Sequence, residues 1–213
     1  DALKSSARME VFMNKGFRHW IFILAGTAVI SSFVGCTTGN NGNNTAAGST
    51  QASQHAIGSS LELLNTVWNS YNEDERFYAA GGDVSHNNAT EDAPGVYSVS
   101  DIDGLDRALG FPADCADKID NAASLSHMML ANAFTCGVFH LKNPADSSTV
   151  TDAVRTNIVQ RHWLDGFPDK YVIAVTEDYV VVLWGYDEFV NTFRDKLVSA
   201  YPVTEILTDA LIE

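Results

Sequence analysis

The segment YVIAVTEDYVVVLW, residues 171–184, decides the fold. It contains two runs of β-branched and aromatic residues, 171–176 and 179–184, and such runs are typical of β-strands. Only Glu177 and Asp178 separate them, so the two strands must pair antiparallel as a hairpin. Because both runs are almost wholly apolar, we expect the hairpin to lie in the centre of a sheet, with little exposure to solvent.

Strand and helix patterns flank this hairpin. Residues 134–141, FTCGVFHL, predict another strand. Residues 149–163 and 188–201 predict helices, because their apolar residues recur three and four positions apart. The order strand, helix, strand, strand, helix predicts an α+β fold: a small antiparallel or mixed sheet with helices packed on one of its faces. The helices predicted earlier in the chain, over 56–71 and 117–131, would cover the edge of the sheet or its other face.

The rest of the globular domain, which we place at residues 55–202, contains shorter patterns. Gly81-Gly82 indicates a turn or a close approach of two backbones, and Met128 and Met129 are predicted to fill gaps in the core. The other predicted elements are a helix over 56–71 capped by Ser59 or Ser60, a short strand over 96–99, a short helix from Asp101 or Asp103 to Gly110, a helix over 117–131, and a loosely attached acidic tail over 203–213.

A leader, residues 1–35, precedes the domain. Within it Lys15 and Arg18 come before an apolar run that ends at Gly35, which is the layout of a secretory signal. The 16 residues from 20 to 35 would span about 24 Å as a helix, and a bilayer core is about 30 Å thick. This favours a cleaved signal; an uncleaved anchor and a soluble secreted form are the alternatives. We expect translation to begin at Met9 or Met13.

The end of the leader predicts a lipid anchor. The quartet Phe33-Val34-Gly35-Cys36 resembles the bacterial lipoprotein signal, with Phe33 where Leu is usual. The resemblance implies cleavage after Gly35 and lipidation of Cys36, which would place the protein on the outer face of the cell membrane. Two acyl chains, such as palmitate, anchor a protein stably where one does not. Residues 36–54 are Gly, Asn, Ser, Thr and Ala almost throughout, which predicts a disordered tether.

The domain beyond the leader is acidic. The chain has 13 Lys and Arg and 27 Asp and Glu, and the leader holds four of the former and two of the latter. Residues 36–213 therefore carry 9 basic against 25 acidic residues, a net charge of −16. Such a surface repels phosphate backbones and anionic lipids, so we expect no nucleic-acid partner and a membrane attachment made by the lipid alone.

Three segments resemble one family of proteins. They are FPADCADKIDNAASLSHMMLANAFTCGVFHL (111–141), GFPDKYVIAVTEDYVVVLWG (166–185) and FVNTFRDKL (189–197). The layout of residues 63–202 is similar to that of small lipoproteins of unknown function from anaerobic Gram-positive bacteria, some of which carry the name bacteriocin transport accessory protein. The resemblance implies a surface lipoprotein with an α+β domain, and it carries over no catalytic residue.

The sequence offers few candidates for catalysis. Export permits a disulfide or a redox pair between Cys115 and Cys136, and the alternative is two independent small apolar residues. His127, His140 and His162 lack the spacing of a helical zinc site, so we expect polar groups at the edge of the core rather than ligands. Residues 101–106, DIDGLD, do not match a calcium loop, because their glycine is at the fourth position rather than the sixth.

These observations predict a non-enzymatic binding or accessory module on the cell surface, with no cofactor or metal. Its partner would be a protein or a peptide bound along an exposed sheet edge or an aromatic surface. The alternative is an envelope enzyme or thiol redox protein centred on Cys115 and Cys136.

Overall fold

The computed structural model describes residues 56–83, 87–164 and 166–213. The predicted signal, Cys36 and the tether lie outside these ranges. Inside them, no helix combines the length and apolar character needed to cross a bilayer. The helices are α1 (Ser60–Asn69), α2 (Ile102–Leu109), α3 (Ser147–Val159) and α4 (Asp187–Ala200). The strands are β1 (Ala79–Asp83), β2 (Asn88–Glu91), β3 (Gly95–Tyr97), β4 (Ile119–His127), β5 (Phe134–Leu141), β6 (Lys170–Thr176), β7 (Tyr179–Gly185) and β8 (Glu205–Leu211).

These strands form one open antiparallel sheet, and the α+β class is confirmed. The order across the sheet is β2-β1-β4-β5-β7-β6-β8, and β3 pairs with β4 beside β1. The predicted hairpin is β6 and β7, which pair from Lys170–Gly185 to Thr176–Tyr179. Strand β7 is also paired along its length with β5, so the hairpin is central, as its apolar composition requires.

Helices cover both faces of the sheet. The helices α3 and α4, which were expected on one face, lie on opposite faces, and α1 covers the face opposite α3. Successive side chains of a strand point to opposite faces. On β7, Val181 and Leu183 pack in one core cluster with α1 and α4. Val180 and Val182 pack in a second cluster with α2 and α3. A strand that is apolar at every position needs a cover on each side, and two pairs of helices supply it.

Short polar signals set where the first two helices begin and end. The Ser59 side chain accepts the backbone N–H of Glu62 and starts α1. The Asp101 carboxylate does the same for Gly104 and starts α2. Gly110 ends α2 with a left-handed φ of 67°. The acidic residues around Asp101 therefore cap a helix.

The helix predicted over 117–131 is wrong, since this segment forms β4. Its alanines and methionines favour a helix in isolation, but pairing on both sides overrides that preference. Ala122 lies in the cluster under α2 and α3, whereas Ala123 and Leu125 lie in the cluster under α1 and α4. This alternation has the two-residue period of a strand buried on both faces.

The acidic tail predicted over 203–213 is also wrong, since most of it is the edge strand β8. It pairs antiparallel with β6 from Lys170–Leu211 to Val175–Glu205. The Asp209 carboxylate lies 2.5 Å from Lys170 Nζ on β6 and 2.5 Å from an Arg194 nitrogen on α4. Partial burial alone would raise the pKa of Asp209, but the hydrogen bonds from the two cations outweigh burial and lower it.

We expect Asp209→Asn to lower the free energy of unfolding by about 1 kcal/mol at pH 7, because the side chain is a quarter exposed and solvent screens part of the interaction. A lowered pKa in the folded state stabilises the protein above the ordinary carboxyl pKa of about 4, and this contribution is lost as the pH falls through the lowered value. Urea unfolding of the variant and of the unsubstituted protein should therefore show a difference in the free energy of unfolding at pH 7 that becomes smaller near pH 3.

The matched control is Asp152→Asn, because Asp152 forms an exposed pair with Arg155 three residues away on α3. It should change stability little. An equal loss in both variants, or a difference that persists in acid, would show that Asp209 does not hold β8 to the sheet.

Candidate functional site

A cleft of about 330 Å³ lies on the face of the sheet that carries α2 and α3. Its floor includes Ser124 and Ser126 of β4 and Thr135 of β5, which is only 1% exposed. Ser126 pairs with Thr135, and Thr135 pairs with Trp184 of β7, so the three side chains form a row across the sheet. Buried positions of this kind usually carry apolar residues. The small polar floor and a volume within the usual range of about 300–1,000 Å³ are typical of a ligand site.

A close crossing of β1 and β3 forms one side of the cleft. A Cβ atom at Gly81 would lie 2.1 Å from the backbone nitrogen of Gly95, so neither strand has room for a side chain there. The predicted close approach at Gly81-Gly82 is confirmed. Gly82 has a φ of 83°, and the Ser124 hydroxyl accepts its N–H and donates to its carbonyl, at 2.9 and 3.1 Å. This crossing places Gly82 and Asp83 at the edge of the polar floor.

Arg161 holds a second side of the cleft in place. Its guanidinium donates to the carbonyl oxygens of Asp106, at 3.0 Å, and of Arg107, at the end of α2. It also lies 5.2 Å from the ring centroid of Trp184 and 5.3 Å from that of Trp163. Burial lowers the pKa of Arg161, against an opposing effect of the Asp106 carboxylate. An arginine nevertheless remains charged at neutral pH.

The two arginines of this cleft have no carboxylate partner within the described ranges. Arg107 is exposed, and its Nε donates only to the backbone carbonyl of Asp103. The cations of the same ranges that do form ion pairs with carboxylates are Lys118, Arg155, Lys170, Arg194 and Lys196. In a domain with far more acidic than basic residues, two unpaired guanidinium groups at one cleft leave a local site for an anion.

The indole of Trp184 adds a donor without an acceptor. Trp184 lines the cleft and is 2% exposed, and its Nε1 has no hydrogen-bond partner in the part of the chain that the structure describes. A buried donor without a partner costs about 1–3 kcal/mol.

The cleft continues into a neighbouring depression of about 390 Å³, which shares Arg107, Asn132 and Arg161 with it. Asn132, in the connection between β4 and β5, is hydrogen-bonded to the segment after α3. Its side-chain amide donates to the carbonyl oxygens of Leu164 and Gly166, at 2.5 and 2.9 Å. The segment after α3 is thereby held against the connection between β4 and β5.

Five exposed apolar residues lie in the chain segments that form or flank this junction, and we call them the apolar rim: Tyr78, Met128, Met129, Leu164 and Phe167. The backbone N–H of Met128 donates to the carbonyl of Tyr78, at 2.8 Å. The prediction that Met128 and Met129 fill the core is wrong: Met129 is 79% exposed. They belong to the connection after β4, not to a helix that packs on the core. Clustered exposed apolar residues often mark an interaction surface.

Two of the three histidines singled out in the sequence lie at this site. His127 lines the main cleft, and its Nδ1 accepts the backbone N–H groups of Met129 and Leu130, both at 3.3 Å. This leaves the ring proton on Nε2 in the neutral form. His162 lines the neighbouring depression. His140 instead contacts Asp120, at 2.6 Å. The described ranges contain no group of three His, Cys, Asp or Glu residues suited to a metal ion.

The two cysteines of the domain are free and lie on opposite faces of the sheet. Cys136 belongs to the core cluster under α1 and α4, and Cys115 belongs to the cluster under α2 and α3. The structure therefore does not pair them in a disulfide. Burial raises the pKa of both thiols, whereas a reactive thiol needs a lowered pKa. Two independent small apolar residues are the better description.

Sequence reasoning missed most of the cleft: Arg107, Arg161, Trp184, Ser124 and Thr135. Two signals were present. The alternation of Ala122, Ser124 and Ser126 marks a strand face that turns polar along its length, and Arg161 to Trp163 is a basic and aromatic triplet in an acidic chain. The first was hidden by the helix assignment, and the second acquires meaning only when the fold places it beside α2.

Comparisons with protein-family models, with curated proteins and with solved structures found no match.

We expect Cys115 and Cys136 to be unreactive in the folded protein, because both thiols are buried and their pKa values are raised. In a full chain that carries Cys36→Ser, a chromogenic disulfide reagent at pH 8 should label no thiol before denaturation and both thiols in guanidinium.

The positive control adds Ser199→Cys, an exposed position on α4, which should react at once. Rapid labelling of either native cysteine, or fewer than two thiols after unfolding, would contradict the assignment of two inert core residues.

Proposed function

We propose that this chain is a lipoprotein held on the outer face of the cell membrane by a lipid on Cys36, and that its folded domain is a binding module. The leader and the Gly-Cys junction support the anchor. The Gly- and Asn-rich tether would let the domain stand away from the bilayer. The resemblance to small surface lipoproteins agrees with this location.

The observation that carries the binding function is the pair of unpaired arginines above a buried polar floor. The floor hydroxyls of Ser124 and Thr135 already have hydrogen-bond partners within the domain, whereas the two guanidinium groups have no carboxylate partner in the described ranges. A bound partner that supplies negative charge would pair with these two cations. The cleft is therefore the proposed binding site.

The apolar rim supports a protein or peptide partner rather than a small polar solute. Methionine side chains are flexible and adapt to different partner surfaces. Aromatic residues and methionine are also enriched at the centres of protein interfaces. The accessory role implied by the resemblance would use such a surface. The thiol redox alternative is weakened by the burial of both cysteines.

We expect the mature protein to begin at Cys36 and to carry a diacylglyceryl group, because the Gly35-Cys36 junction has the layout of a lipoprotein cleavage site. Mass spectrometry of the N-terminal peptide from the membrane fraction would measure this. The Cys36→Ser chain should lack the modification, and an intact leader or an unmodified Cys36 in the native protein would refute the anchor.

For the binding function, we expect a photo-reactive amino acid at position 108 to capture a partner on living cells. Ala108 is exposed and lines the cleft, so a bound partner would lie within reach of the probe. The crosslinked product would be identified by mass spectrometry.

The control places the same probe at position 199, on α4 and the opposite side of the sheet. A partner captured equally at both positions, or at neither, would mean that the cleft is not the binding site.

A further inference from the structure

The charges at the cleft favour an anion that carries a single charge. Arg107 and Arg161 offer planar guanidinium groups, which match the geometry of a carboxylate or a phosphate. Two carboxylates stand nearby: Asp83 lines the main cleft, and Asp106, which accepts a hydrogen bond from Asn157, lines the neighbouring depression. A doubly charged phosphate would be repelled by these groups and by the acidic domain. A carboxylate suffers less repulsion and still matches the two arginines.

Arg161 is prepared to hold such a group. Its guanidinium is fixed by two carbonyl oxygens and lies over two tryptophan rings, so it loses little freedom when a ligand binds. Two of its five N–H donors are used by those carbonyls, which leaves three. Arg107, in the last turn of α2, contributes an exposed second guanidinium, whose Nε donates to the carbonyl of Asp103 one turn earlier.

The cleft joins this cationic site to apolar surface. Leu164 lines the depression that contains both arginines, and Met128 lines the main cleft; both are exposed. The matching ligand has a carboxylate at one end and apolar side chains beside it. A cleft of about 330 Å³ is near the small end of ligand sites, so it suits the end of a chain better than a continuous segment.

We infer that this cleft binds the free C-terminal carboxylate of a peptide or protein whose last side chains are apolar. This inference rests on the proposed binding function and specifies its ligand. The carboxylate lies between Arg107 and Arg161, and the terminal side chains pack against the apolar rim.

The test uses the full chain, purified in detergent, and two libraries of N-acetylated tetrapeptides with all positions varied. One library has free C-terminal carboxylates, and the other consists of the same peptides as C-terminal amides. Affinity selection with mass spectrometry identifies binders, and calorimetry measures their Kd. We expect the selected free acids to end in apolar residues and to bind at least 10-fold more tightly than their amides.

Variants then locate the carboxylate. Arg107→Gln should weaken binding of the best free acid at least 10-fold and leave binding of its amide unchanged. Arg107→Lys should reduce the affinity for the free acid less, because lysine keeps the positive charge. The matched control is Arg76→Gln, since Arg76 is a cation without an ion pair in the described ranges and contacts the ring of Trp68, on α1 under the other face. Arg76→Gln should not change the Kd.

Three results would overturn the inference: no free acid binding below 1 mM, equal affinity of acids and amides, or equal effects of Arg107→Gln and Arg76→Gln. Thermal unfolding of each variant identifies any loss of folded protein, and because Arg107 is exposed we expect its variants to fold. If no peptide binds but the probe at position 108 still captures a partner, the proposed binding function is retained and only the proposed specificity for a C-terminal carboxylate is rejected.

Discussion

The need to cover both sides of β6 and β7 governs the structure. Their side chains are apolar toward each face, so a single layer of helices would leave half of them in water. Helices α1 and α4 cover one face, and α2 and α3 cover the other. Strands β5 and β8 complete the hydrogen bonding of the hairpin at its two edges. The three layers follow from the composition of fourteen residues.

The cleft lies where the face of the sheet is polar and does not need to be covered by a helix. Along β4 and β5 the face below α2 changes from apolar residues such as Phe139 to Ser124, Ser126 and Thr135. The end of α2 and the segment after α3 stand over these polar residues without closing a core on them. Arg161 bridges the two by contacting carbonyl oxygens on one side and aromatic rings on the other. The site is thus the polar end of the layer between the sheet and helices α2 and α3, and the other end of that layer is apolar core.

The parts of the fold that follow from local pattern were predictable from sequence. The hairpin, the strand β5 and the helices α1, α3 and α4 have long periodic signals and came within a few residues of the observed bounds. Strands β4 and β8 were missed, because their sequences become strands only through pairing with partners elsewhere in the chain. The cleft is formed by six separate segments of the chain, and the spacing of residues in the sequence does not show that these segments meet.

The crossing of β1 and β3 has a consequence for divergence. At Gly81 and Gly95 even a methyl group would strike the backbone of the facing strand, and at Gly82 an L side chain would also face a disfavoured dihedral angle. Related proteins can accept substitutions at the surface and in the core. These three glycines cannot be replaced as long as β1 and β3 cross at this distance. Distant homologues that keep the crossing should therefore share this spacing of glycines even where most other residues differ.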